Sequence, residues 1–396
     1  MKKFLKVHPL LILVVALCFL TLSAVAQQPV NTYSTKGWYG PPKPPFSPVV
    51  NKDNSITFRT KAKDAAKVSL LFGEWDVKPQ AMSKDTDNSW AVTIAPVKPG
   101  IYSYQYLIDG AATLDLKNPL TKIGTEIYSS VVEVPGSPAR FDEVQNVPHG
   151  TLTIHSYVSS SLKLNRGVYV YLPPQYYTQP ASSFPVLYLR HGGGDNESSW
   201  SQRAGSANTI LDNLIAQKKA VPMIVVMTNG LTDGTWAGGS TPEGVKALEQ
   251  ELLQDVIPLI EKTYRVKKDR ANRAITGLSM GGGQAFVIGL RNLNKFGWVG
   301  EFSSGTLSDK DFDVDKELPG IMNASLNKKL GLLWIGCGED DPRFPGHRVL
   351  ANTLTKKGIT IKNLTMPGGH EWRVWREELA GFYQAIFKKP LAAYTK

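Results

Sequence analysis

The pentapeptide Gly277-Leu278-Ser279-Met280-Gly281 constrains this chain more than any other feature, because of what stands on either side of it. Arg273 to Thr276 reads as a short strand, and Gly281 to Arg291 reads as a helix. A serine on a sharp strand-to-helix turn has its hydroxyl lifted clear of the sheet, where a base can reach it. The flanking glycines leave room for strained backbone and for a close approach of helix to strand. Alone, the pattern is met in ordinary tight turns. In this setting it marks Ser279 as a nucleophile held by an α/β sheet.

The rest of the C-terminal part agrees with such a sheet. Val186 to Arg190, Met223 to Met227, Leu332 to Gly336 and Ile361 to Met366 are short apolar runs that read as buried strands. Helical stretches lie between them at 207–217, 244–263 and 347–357. This alternation implies a mostly parallel sheet covered on both faces, with ligands at the carboxyl ends of the strands. Upstream the pattern changes. Ser55 to Arg59, Lys67 to Phe72, Trp90 to Ile94, Ile101 to Ile108 and Ser129 to Val134 read as strands punctuated by Asp87-Asn88, Pro99-Gly100 and Asp109-Gly110. Short strands at that spacing suggest a β-sandwich of about 100 residues. Pro135-Gly136-Ser137-Pro138 closes it, Arg140 to Leu152 reads as a linker, and the six prolines of residues 29 to 50 read as an extended lead-in.

At 396 residues and 42% hydrophobic, the chain has enough apolar content for two cores. Its start is expected to be a cleaved secretory leader, residues 1–26. Lys2, Lys3 and Lys6 precede an apolar run from Leu10 to Leu22, and Ala24-Val25-Ala26 offers a cleavage site. The run is shorter than the roughly 20 apolar residues of a spanning helix, so no membrane span is expected after cleavage. Cys18 leaves with the leader, and Cys337 then has no partner for an internal disulfide. The expected location is secreted or periplasmic. The net charge of +11 falls to +8 without the three leader lysines, and it is scattered rather than gathered in a patch. That excludes nucleic acid as the expected partner.

A serine nucleophile needs a base. His8 leaves with the leader, His149 and His155 precede the sheet, and His347 starts a helix. His191 lies in His191-Gly192-Gly193-Gly194, where the glycine backbone is the useful part. His370 remains, in Pro367-Gly368-Gly369-His370-Glu371-Trp372 after the last strand, where the chain order Ser, acid, His places the base. The acid belongs at the strand end before it, and Glu339, Asp340 and Asp341 compete there. The oxyanion donors fall on the backbone N–H groups of Gly193 and Met280.

Together, Tyr188 to Gly194, Asp212 to Ile215, Pro222 to Met227, Ile275 to Gly282 and Gly368 to Trp372 resemble the family-1 carbohydrate esterases. These are the feruloyl and acetyl xylan esterases of plant cell-wall breakdown, related to the enterochelin esterases. The resemblance covers about residues 150 to 390. It implies an α/β-hydrolase domain over 141–396 and places the triad acid on Asp341, with Asp340 in reserve. Residues 27–140 resemble a family-48 carbohydrate-binding module of immunoglobulin-like shape, through Val68-Ser69-Leu70, Trp90, the Pro99 to Tyr106 stretch and Asp109-Gly110. Tyr102, Tyr104 and Tyr106 share one strand face, either as a sugar-stacking platform or as packed core. The exposed tryptophan pair of starch-binding modules is not identified among Trp38, Trp75 and Trp90.

The resulting expectation is a serine esterase that removes feruloyl, and secondarily acetyl, groups from arabinoxylan-type plant polysaccharide. Ser279, His370 and Asp341 form its triad, and Gly193 with Met280 its oxyanion hole. Trp200, Trp236 and Trp372 flank the site loops and are expected to touch substrate. No metal or organic cofactor is expected. The alternatives are an enterochelin-type or general carboxylesterase, and a glycan-binding protein whose hydrolase domain is inactive. Residues 27–140 are expected to separate from the rest as a domain.

Overall fold

The computed structural model describes residues 47–74, 76–309, 312–388 and 391. The expected leader, Trp38 and Trp75 lie outside the described residues. Ser47 to Lys396 form one compact unit.

The N-terminal part of this unit is built from antiparallel strands in two sheets. Val49–Val50, Ile56–Lys61, Ser89–Ile94 and Ser83–Lys84 form the first in that order. The second runs Gln80–Ala81, Val68–Phe72, Gly100–Ile108, Ile127–Val134, Thr121–Ile123, and Ala111–Thr113 adds to Gly100–Ile108. The period-two alternation of strands places Ile56, Phe58, Val68, Leu70, Tyr104, Tyr106 and Val132 in one apolar core. Tyr104 and Tyr106 are therefore packed core and no stacking platform. Their hydroxyls meet the buried Asp115 carboxylate at 2.8 and 3.2 Å. Trp90 is buried too, its indole N–H donated to the Ala62 carbonyl.

The C-terminal part carries one eight-stranded sheet. Its order is Thr151–Val158, Asn165–Leu172, Ile224–Thr228, Val186–Arg190, Arg273–Gly277, Trp298–Phe302, Leu332–Gly338, Lys362–Met366. The first two strands join antiparallel, and the six that follow run parallel. Apolar side chains fill both faces, with Ile275, Phe286 and Ile288 on one side and Leu189, Trp298 and Phe382 on the other. Among the described residues no helix is long and apolar enough to cross a membrane.

Several elements depart from expectation. Arg140 to Leu152 is no loose linker. Arg140 pairs with Glu143 at 2.6 Å, Asp142 with the buried Arg376 at 2.8 Å, and Asn213 donates to the carbonyls of Phe141 and Glu143. Thr151–Val158 is an edge strand whose even positions face solvent, which hides its pairing from a search for apolar runs. Trp298–Phe302 was not expected because Gly300 and Glu301 interrupt its apolar run; yet Glu301 is buried, and a Cβ on Gly300 would press into the Phe382 ring. The expected long helix is present and continuous, as Pro242–Glu251, a π-turn at Leu252–Val256, and Ile257–Thr263. Pro258 follows the π-turn directly, where its missing N–H and its ring, which crowds the preceding turn, disfavour regular α-helical bonding. A last helix, Trp372–Ala385, buries Val374, Leu379 and Phe382.

Candidate active site

Ser279 stands where the strand Arg273–Gly277 gives way to the helix Ser279–Arg291. Its backbone is left-handed, with φ at +71°, a strained conformation for a residue with a Cβ. The turn survives because nothing is in its way: a Cβ on Gly281 would land on the His191 carbonyl oxygen, so only glycine lets the helix start against the neighbouring strand end. The strain turns the hydroxyl toward the loop after Met366.

That loop brings the base. His370 Nε2 lies 3.0 Å from Ser279 Oγ, and its Nδ1 lies 2.7 Å from Asp341 Oδ2. Asp341 follows the end of Leu332–Gly338, and its carboxylate also accepts the Arg343 N–H at 2.9 Å. Burial alone would push this carboxyl up, but the hydrogen bond and charge of His370 outweigh it and hold it below the usual range. Of the three competing acids, only Asp341 meets the imidazole. Asp340 accepts the Gly368 N–H at 2.9 Å, and Glu339 accepts the Thr365 hydroxyl at 3.2 Å. A hydroxyl, an imidazole and a buried carboxylate in this series can pass a proton from oxygen to nitrogen as the oxygen attacks a carbonyl.

Gly192 and Gly193 pass beside the serine, and Gly193 lines the cavity there. Met280 is the second residue of its helix, a position whose N–H has no partner within the helix. His191 anchors this loop without facing the cavity. Its Nδ1 meets the Gly192 carbonyl at 2.8 Å and its Nε2 accepts the Gly230 N–H at 2.8 Å. Complete burial drives its pKa down to about 4, so the ring is neutral near pH 7.

The cavity holds about 370 Å³ and is lined by Ser279, His370, Trp236, Trp372, Trp375 and Leu278 from the C-terminal part. Trp236 is 59% exposed and its ring lies over Gly193 and Gly194. Trp372 lines the floor, and Trp375 meets the His370 ring edge-on at 4.8 Å. Trp200 does not line the cavity. It is 1% exposed, its N–H bonds the Arg190 carbonyl, and its ring packs edge-on behind Trp372 at 5.0 Å. The expectation that Trp200 touches substrate is therefore corrected: the side chain turns into the core.

Sequence reasoning missed a whole wall. Glu74, Gln105, Lys122 and Tyr128 of the N-terminal part line the same cavity. Glu74 accepts the backbone N–H of Trp372 at 2.8 Å and the Ser103 hydroxyl at 2.6 Å, and the Lys122 ammonium pairs with Asp195 at 2.9 Å. No sequence periodicity reports such a junction. The only hint was the polar positions Ser103 and Gln105, which alternate with the buried tyrosines on the outward face of their strand.

A family model described as putative esterase matches residues 159–386, more than half of the chain. An endo-1,4-beta-xylanase/feruloyl esterase of Xylanibacter ruminicola is 32% identical over 347 residues, 86% of this chain and 46% of its own. The chain spans about half the length of the curated relatives it matches. A ferulic acid esterase from Anaeromyces mucronatus superposes with TM-score 0.52 at 24% identity, over 62% of this chain and 92% of its own. The enterobactin esterase of Shigella flexneri superposes with TM-score 0.62 at 16% identity, over 83% of this chain and 92% of its own. That share exceeds what residues 141–396 make up, so the likeness reaches into the N-terminal sheets. The fold is that of esterases of the α/β-hydrolase type.

Proposed function

The chain belongs to the esterase family, and we propose that it is a serine carboxylic ester hydrolase that removes feruloyl groups from arabinoxylan-type plant polysaccharide. The observation that carries this reading is the unbroken series from Ser279 Oγ through His370 to Asp341, at 3.0 and 2.7 Å, opening into an aromatic-lined cavity. Ser279 Oγ attacks the ester carbonyl carbon while His370 Nε2 takes its proton. The tetrahedral oxyanion is held by the N–H groups of Gly193 and Met280. His370 then returns the proton to the departing sugar oxygen, leaving the acyl group on Ser279. Water, deprotonated by the same ring, releases the acid. Asp341 holds the ring's tautomer and steadies its positive charge. The sequence of steps needs no metal or organic cofactor.

The feruloyl assignment rests on the Xylanibacter relative and on the aromatic lining, where Trp236 offers an exposed ring to a phenolic group and Tyr128 and Trp372 line the cavity beside it. Acetyl xylan esters are the second substrate class. A catecholate ester is a third reading, favoured by the length over which the Shigella enzyme superposes. We further propose that residues 1–26 direct export, that residues 27–140 form a carbohydrate-binding-module-like domain, and that a feruloylated or acetylated glycan is the partner. Purified protein incubated with feruloylated xylan fragments, acetylated xylan and a catecholate ester should release ferulate fastest. Release of acetate or catecholate alone moves the substrate assignment, and turnover of no ester at all leaves a glycan-binding protein.

A further inference from the structure

The glycine run Gly192-Gly193-Gly194 has no side chains with which to hold itself, yet an oxyanion donor acts only when its N–H sits within about 0.5 Å of the productive place. Something else must fix it. On one side the Gly194 N–H donates to the Trp236 carbonyl at 2.8 Å. On the other the partners come from the N-terminal sheet. The Thr125 N–H donates to the Gly194 carbonyl at 2.8 Å, and the Thr125 hydroxyl reaches the same oxygen at 3.1 Å. The Lys122 ammonium meets Asp195 at 2.9 Å, and Asn196 donates its amide to the Gly124 carbonyl at 2.8 Å. A Cβ on Gly124 would land on the Gly194 carbonyl oxygen, so the two backbones are in direct contact.

We infer that the Lys122–Tyr128 segment of the N-terminal sheet is a positioning clamp on the Gly192–Asp195 loop, so that the hydrolytic centre is completed by the N-terminal part of the chain. The inference rests on the esterase reading and extends it, because it makes the N-terminal part necessary for turnover of esters too small to touch a glycan-binding surface. Thr125 and Asn196 act through the loop and do not line the cavity. Asp195 shows the demand on the pairing: burial pushes its carboxyl up, and the Lys122 charge beside it draws it back. The register of Thr121–Ile123 against Ile127–Val134 sets where the clamp falls, and a bulge between Ile127 and Ser129 lies in the same turn.

The test uses the full chain and a small soluble aryl acetate, which reads the oxyanion hole without polysaccharide. Losing one oxyanion donor outright slows an enzyme by about 100-fold or more; Gly124→Ala displaces the loop without removing the donor, so kcat should fall roughly tenfold or more with KM within about twofold. Thr125→Val keeps the shape and removes the hydroxyl; kcat should fall about threefold or more, with Thr125→Ser restoring it. Unfolding midpoints measured alongside should stay near that of the unaltered protein. An unchanged kcat in a folded Gly124→Ala overturns the clamp. Should that variant not yield soluble protein, an unchanged kcat in Thr125→Val overturns it instead. Absence of turnover in the unaltered protein is a different result, which removes the esterase reading and the clamp with it.

Discussion

The carboxylate of Asp340 accepts the N–H of Gly368 at 2.9 Å, two residues before His370, while its neighbour Asp341 reaches the imidazole itself. Adjacent acids thus have different work, one holding the loop and one holding the ring. Replacing Asp341 by Asn keeps the shape but favours the wrong tautomer, and turnover should drop roughly ten-thousandfold. Asp340→Asn weakens the loop and should give an intermediate rate. Glu339→Gln should stay close to the unaltered protein, since it meets only the Thr365 hydroxyl. Steady-state kinetics of the three variants decide the order, and an active Asp341→Asn beside an inactive Asp340→Asn reverses the two roles.

Acid should destabilise the protein partly through His191. Its folded-state pKa, down at about 4, lies below the ordinary 6.5, so between those values the unfolded chain binds the proton and the folded one does not. Stability from this group is therefore present above pH 6.5 and is lost as pH falls toward 4, by up to about 3 kcal/mol. Urea unfolding of the unaltered protein and of His191→Asn should show their stability difference shrinking from pH 7 to pH 4. A difference that stays constant across that range contradicts the buried neutral ring.

Two tryptophans near the site should behave oppositely. Trp236→Ala removes an exposed ring from the cavity mouth and should raise KM for an aryl ester by roughly twofold to tenfold, the worth of an aromatic contact. Trp200→Phe takes the shorter of two hydrogen bonds from the Arg190 carbonyl, leaving it the Leu278 N–H at 3.3 Å, and should cost about 1 kcal/mol of stability with KM unchanged. A raised KM in Trp200→Phe would place that ring in contact with substrate after all.

The pair between Asp142 and Arg376 is buried on both sides and spans 234 residues of sequence. Removing one partner strands the other charge, so Asp142→Ala should cost about 3–5 kcal/mol. Chemical denaturation measures this directly. A loss under about 1 kcal/mol would mean that water reaches Arg376 in its place.

Much of the site was legible in the sequence because each part rests on a local signal. The elbow at Ser279 follows from glycines beside a strand end, and His370 follows from its loop after the last strand. Asp341 needed more, since three adjacent carboxylates look alike until the strand end turns one of them toward the ring. Fold elements with clean apolar runs, such as Val186–Arg190, were legible for the same reason. Trp298–Phe302 and Thr151–Val158 were not, the first because a buried glutamate and glycine interrupt it, the second because an edge strand exposes half its side chains. The wall formed by Glu74, Gln105, Lys122 and Tyr128 is a contact between distant segments, and no pattern along the chain encodes it.

Ester hydrolysis at Ser279 is tested most directly by comparing the protein with Ser279→Ala on methyl ferulate. The hydroxyl performs covalent chemistry and little packing, so the variant should fold normally and lose turnover by several orders of magnitude. In the unaltered protein an organophosphate should transfer its phosphoryl group to Ser279 Oγ with expulsion of its leaving group, adding the mass of that group alone, and abolish turnover. A Ser279→Ala protein that still turns over within about tenfold of the original would contradict the assignment, because loss of a triad nucleophile costs far more than that.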